Sequence, residues 1–253
     1  MFDFIIPRNQ NALNTIRELR DLKESIQIQS QSALNKFSEQ IKYDYIYNSN
    51  AIEGNTLSYN ETEALLEHGI TINGKPVKDY IEVINHSTAY DNLIRLIETG
   101  KPITEQNIKY IHRLITIGLL DAECSGKYRR CNVRIGRSKH LPPTHDKVLV
   151  LMKELVEWYN KEYYEPEELA VAFKYYFLNI HPFVDGNGRT SRLLYNLIML
   201  KQGYTPIIIE NKDRLEYYIS LEETNNTHNL EPIMNFMYKY VKESLERYIK
   251  FIY

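Results

Sequence analysis

The sequence offers little that would support disulfide, zinc or membrane chemistry. Only two of the 253 residues are cysteine; Cys124 and Cys131 form no CxxC pair, so neither a disulfide framework nor a zinc site is expected. No apolar run approaches the ~20 residues that a membrane span requires. The first ten residues lack the basic start and long apolar stretch of a secretory signal. We therefore expect a cytoplasmic protein with no membrane partner.

An excess of one charge and an abundance of turn-forming residues are also missing. Thirty-one Lys and Arg oppose 33 Asp and Glu, and this near-neutral balance argues against nucleic acid as a partner. Ten glycines and nine prolines are too few for a turn-rich all-β fold. With 43% hydrophobic and 25% charged residues, the composition is that of a globular domain with its own core.

Helical periodicity dominates the chain and predicts an all-α fold. Apolar residues recur at helical spacing over 79–98 and again after Thr104, an expected N-cap. Ser58 and Glu61 form a capping-box pattern that opens a short helix ending at Gly69. Further helices are predicted over 11–47 (one or two amphipathic helices, the second ending near 53–55), 146–160, 166–180, 187–202, 213–226 and 232–251.

One segment interrupts the helical pattern. Val133 and Ile135 alternate with a basic residue, a glycine follows, and the run closes at Leu141 before two prolines. Such alternation is typical of a short strand and a turn. The sequence therefore predicts a small β-hairpin across 133–141, although an ordinary basic surface loop would have a similar composition.

The most informative run is HPFVDGNGRTSR, residues 181–192, which lies between two apolar helical patterns. Gly186 and Gly188 let backbone N–H groups approach a ligand at the start of the second helix, where the helix dipole favours an anion. Arg189 and Arg192 are three residues apart, so both guanidinium groups can face one phosphate. The run therefore predicts an anion site.

Two side chains of this run add reactive chemistry. His181 is its one group able to act as a base near neutral pH. Asp185 offers the hard carboxylate that Mg²⁺ uses together with substrate phosphates. Taken singly, a histidine at a helix end and an Asp-Gly pair are typical of a cap and a turn. Together, a base, a metal ligand and a phosphate cradle within one loop indicate phosphoryl or nucleotidyl transfer.

The same run resembles the signature of the Fic (Fido) domain family, HxFx[DE]GNGRxxR, and matches it at every specified position. The similarity extends from about Ile81 to the C-terminus. The resemblance implies a helical Fic core with the hairpin as its flap, and transfer of AMP from MgATP to a Ser, Thr or Tyr hydroxyl of a target protein (AMPylation). It divides the chain into an N-terminal helical region, 1–78, and a catalytic core, 79–253.

The resemblance also implies a role for each residue of the run. His181 would be the general base on the target hydroxyl, Phe183 an anchor for the loop, and Asp185 the Mg²⁺ ligand. Arg192 would hold the γ-phosphate of ATP. The α- and β-phosphates would lie in a cradle formed by Gly186, Asn187, Gly188 and Arg189.

Four residues outside the run would contact the rest of the nucleotide. The resemblance implies that Ile135 and Gly136, in the hairpin, lie over it. Tyr217 and Asn225 are eight residues apart on one predicted helix, about two turns, and would line the adenosine pocket. A packing tyrosine and a helix C-cap asparagine would show the same spacing.

A second motif, SNAIEGN at residues 49–55, matches the inhibitory pattern [ST]xxxE[GN] of the family. Ser49 and Glu53 share one face at a predicted helix end, where a solvated glutamate would look the same. The resemblance implies that Glu53 pairs in cis with Arg192, so that this guanidinium cannot take the γ-phosphate and ATP binds unproductively. In some relatives the equivalent glutamate also serves in removing AMP, and the sequence leaves that activity open.

Two other functions are compatible with the sequence. A Fic-like transferase that uses another nucleotide or phosphodiester donor would keep the same cradle. A nucleotide-sensing protein without turnover would engage a partner through its N-terminal helices, but the intact His181, Asp185 and Arg192 argue against it. The target protein is not readable from the sequence. This chain itself is a candidate acceptor, and a homodimer is compatible with the resemblance.

Overall fold

Ten α-helices and two short 3₁₀ helices form the fold of the described residues. The computed structural model describes residues 2, 4–27, 30–136, 138–161 and 164–252. The α-helices are α1 (Gln10–Ser25), α2 (Gln31–Ile52), α3 (Tyr59–His68), α4 (Val77–Glu98), α5 (Glu105–Thr116), α6 (Val148–Asn160), α7 (Pro166–Ile180), α8 (Asn187–Lys201), α9 (Arg214–Thr227) and α10 (Glu231–Ile252). The 3₁₀ helices, His145–Lys147 and Asn211–Asp213, precede α6 and α9. Across these ranges no helix is long and apolar enough to cross a membrane.

Helices α7 and α8 form the centre of the fold. Nearly every residue of both helices is buried, as expected for helices that are surrounded by others on all sides. They pack against each other, and α8 also packs against α4 and α5. The loop that joins them, residues 181–186, therefore starts and ends on the most constrained elements of the protein.

The N-terminal helices belong to the same hydrophobic core. Leu13 and Ile16 of α1 are 0% and 1% exposed, and α1 packs along α10. The C-terminal half of α2 packs against α4 and α8 and buries Tyr45, Ile46 and Ile52. The end of α2 is thereby fixed directly beside the start of α8.

The sequence left open whether 11–47 holds one helix or two, and the structure has two, α1 and α2; the other helix predictions are confirmed to within two residues at each end. Ser58 and Glu61 form the predicted capping box of α3, and Gly69 ends that helix in the left-handed conformation. Thr104 caps α5 as expected. Local capping and turn chemistry decides these boundaries, which is why the sequence predicts them well.

The structure does not support the predicted β-hairpin across 133–141. The described residues of this segment form no strand, and one local hydrogen bond joins Ser138 N–H to the Ile135 carbonyl at 3.2 Å; Arg137 lies outside the described residues. A short two-stranded hairpin is marginal without a surface to bury one of its faces. The described part of the segment is a loop with a turn at Gly136, and contacts of Ser138 with Glu222 of α9 and of His140 with the Asn179 carbonyl of α7 hold it in place.

We expect Leu13→Ala to lower the free energy of unfolding by about 2–5 kcal/mol, because it leaves a cavity in the shared core. Leu22→Ala on the same helix, at a side chain 41% exposed, should change it by about 0.5 kcal/mol or less. Urea unfolding of the two variants measures the difference. Equal effects of the two substitutions would show that α1 is not part of the cooperative core.

Candidate active site

A cavity of about 490 Å³ opens where α7 ends and α8 begins. The end of α2, one face of α9 from Arg214 to Asn225, and residues 134–136, 138 and 140 complete its wall. Among the predicted site residues it is lined by Glu53, Ile135, Gly136, His181, Asp185, Gly186, Asn187, Gly188, Arg189, Arg192, Tyr217 and Asn225. Ser49 lies behind the wall, in contact with Arg192.

Arg129 fixes the start of the loop. Its buried guanidinium donates to the carbonyl of His181 at 2.8 Å, to that of Cys131 at 2.9 Å and to that of Pro143. Its backbone N–H donates to the Pro182 carbonyl at 2.9 Å. A cation suits this place because the carbonyl end of α7 carries the negative pole of the helix.

His181 is held as a neutral base. It adopts a left-handed conformation with φ 50° at the C-terminus of α7, a strained geometry that the bonds from Arg129 help to maintain. Its Nδ1 lies 3.3 Å from the Leu178 carbonyl, which can only accept, so Nδ1 carries the proton and Nε2 keeps a lone pair. Burial lowers the pKa of His181 to about 4. The imidazole therefore lines the cavity in the form that can accept a proton.

A second buried histidine supports the loop from below. The ring of His112 stacks on Phe183, with centroids 3.6 Å apart, and Phe183 is 0% exposed. His112 Nδ1 accepts from Gly126 N–H at 3.0 Å, so its Nε2 donates to the Asp185 carbonyl at 2.9 Å. Burial lowers the pKa of His112 to about 4, which preserves this tautomer. Phe183 thus lies in the core, as expected of an anchor.

Asp185 places its carboxylate at the mouth of the cavity. One oxygen accepts from Gly186 N–H at 2.6 Å, and the residue is otherwise exposed. The described chain contains no cluster of three or more His, Cys, Asp or Glu that would hold a metal by itself. A hard cation that takes one carboxylate and completes its shell with phosphate oxygens and water fits this donor set.

The first turn of α8 provides the space for an anion. Gly186 adopts φ 78°, and a Cβ there would come within 3.1 Å of Thr116 Cγ2. A Cβ on Gly188 would collide with Oε1 of Glu53. The carboxylate of Glu53 therefore lies against the turn whose free N–H groups favour negative charge.

Asn187 serves the loop through its side chain rather than the cavity. Its Oδ1 accepts from Phe183 N–H at 3.0 Å, and its Nδ2 donates to the Phe183 carbonyl at 2.9 Å. These two bonds close the loop on itself. What Asn187 offers to an anion is therefore its backbone.

Arg192 binds both residues singled out in the second motif. Its Nε donates to Ser49 Oγ at 2.8 Å, and its Nη2 donates to the Ser49 carbonyl at 2.7 Å and to Glu53 Oε1 at 2.8 Å. The side chain of Arg192 is 4% exposed, whereas that of Glu53 is 33% exposed. The charge-assisted bond between Arg192 and Glu53 is strong because the guanidinium is shielded from water. The carboxylate of Glu53 nevertheless remains partly exposed to solvent.

Arg189 is paired from the opposite side. Its Nη1 lies 3.1 Å from Glu82 Oε1, and both side chains are buried. The other oxygen of Glu82 accepts from Asn55 Nδ2 at 2.9 Å. Glu82 thus connects the arginine of the cradle with the residue that closes the second motif.

The two predicted adenosine residues lie at different ends of the cavity. Asn225 Oδ1 accepts from the Tyr175 hydroxyl at 2.6 Å and from Asn179 Nδ2 at 3.2 Å, at the end away from Arg192. Tyr217 is 1% exposed, and its hydroxyl lies beside Arg192. Asn225 is therefore not a helix C-cap, since His228 takes that place, and Tyr217 lies at the end of the cavity where Arg192 is found.

Comparison with known proteins agrees with this geometry. The profile of the Fic/DOC family matches residues 102–199. Protein adenylyltransferase fic-1 of Caenorhabditis elegans is 35% identical over 246 residues, which cover 95% of this chain and 47% of the relative. A solved structure of a Fic-1 fragment from the same organism matches with a TM-score of 0.86 and 34% identity, over 95% of this chain and 72% of that one. This chain belongs to the Fic/DOC family.

A bacterial structure supports the same assignment to the Fic fold. A Fic domain containing signaling protein from Bacteroides thetaiotaomicron matches with a TM-score of 0.85 and 29% identity, over 94% of this chain and 96% of that one. The curated relatives are longer: the chain spans 47% of the C. elegans protein and 50% of protein adenylyltransferase Fic from Drosophila virilis, to which it is 31% identical over 250 residues.

Several residues that build this Fic site carry no signal in the sequence. Arg129 and Glu82 are single charged residues outside any motif, and only the folded chain brings them to the loop. Glu222 accepts from the Ser138 hydroxyl and, at 3.3 Å, from Lys139 N–H. This contact, rather than strand pairing, fastens the segment of Ile135 over α9.

The depressed pKa of His181 is directly testable in this Fic chain. Because burial lowers that pKa to about 4, we expect its ring proton resonances to stay constant between pH 5.5 and 8. Titration by NMR measures this, with the signals assigned by their loss in His181→Asn. A midpoint near the ordinary value of about 6.5 would show that the imidazole is open to water.

Proposed function

We propose that this chain is a protein adenylyltransferase, which transfers AMP from ATP to a hydroxyl group of a target protein. The observation that carries the proposal is the placement of one neutral imidazole, His181, in the same cavity as the open N-terminus of α8 and Arg192. The similarity to proteins named as protein adenylyltransferases in C. elegans and D. virilis supports it.

The reaction would be an in-line displacement at the α-phosphorus. The target hydroxyl oxygen forms a bond to this phosphorus while the bond to the pyrophosphate oxygen breaks. Nε2 of His181 takes the hydroxyl proton, and pyrophosphate leaves. Because the loop of His181 is fixed at both ends, the protein supplies mainly position and electrostatic stabilisation.

The remaining motif residues would hold the triphosphate. Backbone N–H groups of the first turn of α8 and the guanidinium of Arg189 suit the α- and β-phosphates, and Arg192 suits the γ-phosphate. Asp185 would hold a divalent cation, which we propose to be Mg²⁺. When bound, that ion neutralises charge on the departing pyrophosphate. Ile135, Gly136 and Asn225 would contact the nucleoside.

Glu53 would inhibit the enzyme in cis. Its carboxylate pairs with the Arg192 nitrogen that a γ-phosphate needs and lies against Gly188, where phosphate oxygens would lie. ATP that enters beside it must bind with its phosphates displaced from the line to His181. We therefore propose that residues 1–78 form the regulatory region and residues 79–253 the catalytic core.

We expect Glu53→Gly to raise AMP transfer about 5–150-fold, the range of a coupling of 1–3 kcal/mol, because Arg192 is then open to the γ-phosphate. The measurement is incorporation of label from [α-³²P]ATP into protein. Glu67→Gly, at a glutamate side chain 53% exposed at the end of α3, is the matched control and should label like the wild type. Equal labelling by wild type and Glu53→Gly would refute inhibition by Glu53.

The double variant Glu53→Gly/His181→Ala should lose the activity that the single variant gains, because no base remains to take the hydroxyl proton. Mass spectrometry of Glu53→Gly after incubation with MgATP and a cell extract identifies the transferred group. An increment of one AMP on protein hydroxyls supports the proposal. A different adduct would indicate another donor chemistry, and no adduct would indicate nucleotide binding without turnover.

A further inference from the structure

We infer, resting on the proposed function, that Lys174 is a positioning residue for the triphosphate, acting through the hydroxyl group of Tyr217 beside Arg192. Lys174 lies on α7, seven residues before His181. It lies one layer deeper than the cavity wall and is 0% exposed.

The contacts of Lys174 lead directly to the anion site. Its Nζ donates to the Tyr217 hydroxyl at 2.5 Å and lies 4.4 Å from the centre of that ring. Tyr217 lines the cavity, and Arg192 lies near enough to its hydroxyl for the guanidinium charge to act on the Tyr217 pKa. Arg192 in turn donates to the carboxylate of Glu53 at 2.8 Å. Lys174, Tyr217, Arg192 and Glu53 therefore form a continuous row from the interior to the cavity.

The chemistry of these groups determines where the tyrosine proton points. An ammonium and a guanidinium can only donate hydrogen bonds. When Lys174 is charged, its ammonium donates to the Tyr217 oxygen, and neither Lys174 nor Arg192 can accept the hydroxyl proton. The hydroxyl proton is then directed to an acceptor in the cavity, and a phosphate oxygen is such an acceptor. Lys174 thus orients Tyr217 as a donor beside Arg192.

The charge around Lys174 is unbalanced until an anionic ligand arrives. Within the described residues no carboxylate lies at ion-pair distance from its Nζ. Burial lowers the pKa of Lys174 well below its usual range, Arg192 lowers it further, and Glu53 opposes them. Packing alone does not account for a lysine at this position, because a methionine would fill the same space without the desolvation cost of an amine. A triphosphate that displaces Glu53 supplies more negative charge than one carboxylate and favours the ammonium.

The test compares nucleotides that differ only in their phosphates. In the full chain carrying Glu53→Gly, we expect Lys174→Met to weaken MgATP binding about tenfold, while AMP binding changes less than twofold. Tyr217→Phe, which keeps the ring and its packing, should reproduce this loss. The double variant should lose little more than either single variant, because both interrupt the same row. Isothermal titration calorimetry measures all four proteins.

Lys153→Met, at a lysine 69% exposed on α6, is the matched control and should bind both nucleotides like Glu53→Gly alone. Unchanged ATP affinity in Lys174→Met overturns the inference, as does an equal loss for ATP and AMP, which a merely structural lysine would give. If Lys174→Met does not fold, Tyr217→Phe decides by the same ATP-to-AMP contrast. Failure of Glu53→Gly itself to bind ATP overturns the proposed function, and this inference with it.

Discussion

A single buried cation, the guanidinium of Arg192, is the group on which the account of this site depends. Arg192 is buried, where an unpaired charge has a high desolvation cost, so an anion must pair with it. In the present structure that anion is Glu53, at 2.8 Å. Arg192 is thus paired within the chain, and in the proposed reaction the same nitrogen would bind ATP. The proposed inhibition would therefore follow from the need to pair a buried charge.

The elements around this pair are rigid where the chemistry needs precision. Burial lowers the pKa of two histidines to about 4: His181, the proposed base, and His112, which supports the loop from beneath. Arg129 and Asn187 satisfy the backbone groups of the loop, which would otherwise be unpaired at a helix junction. Such a frame costs little reorganisation when substrate binds, which is how preorganised sites lower a barrier. Only the half-open carboxylate of Glu53 must move.

The sequence predicted the parts of this protein that local chemistry determines. Capping residues set the ends of the helices, and the run from His181 to Arg192 is a single loop and helix start whose geometry is local. The pairing of Glu53 with Arg192 was accessible only through family resemblance. Glu82, Arg129 and Lys174 were not predicted, because their partners are distant in sequence and follow no pattern. The structure does not support the predicted hairpin, because two alternating apolar residues, Val133 and Ile135, are equally compatible with a loop.

The most direct measurement of the central claim is the position of the γ-phosphate in crystals of the wild type and of Glu53→Gly, each soaked with a non-hydrolysable ATP analogue and Mg²⁺. The account predicts that in Glu53→Gly the γ-phosphate lies within hydrogen-bond distance of Arg192, with the α-phosphorus facing Nε2 of His181. In the wild type Arg192 should stay on Glu53, with the phosphates displaced. The same nucleotide pose in both proteins, with Arg192 on the γ-phosphate, would contradict it.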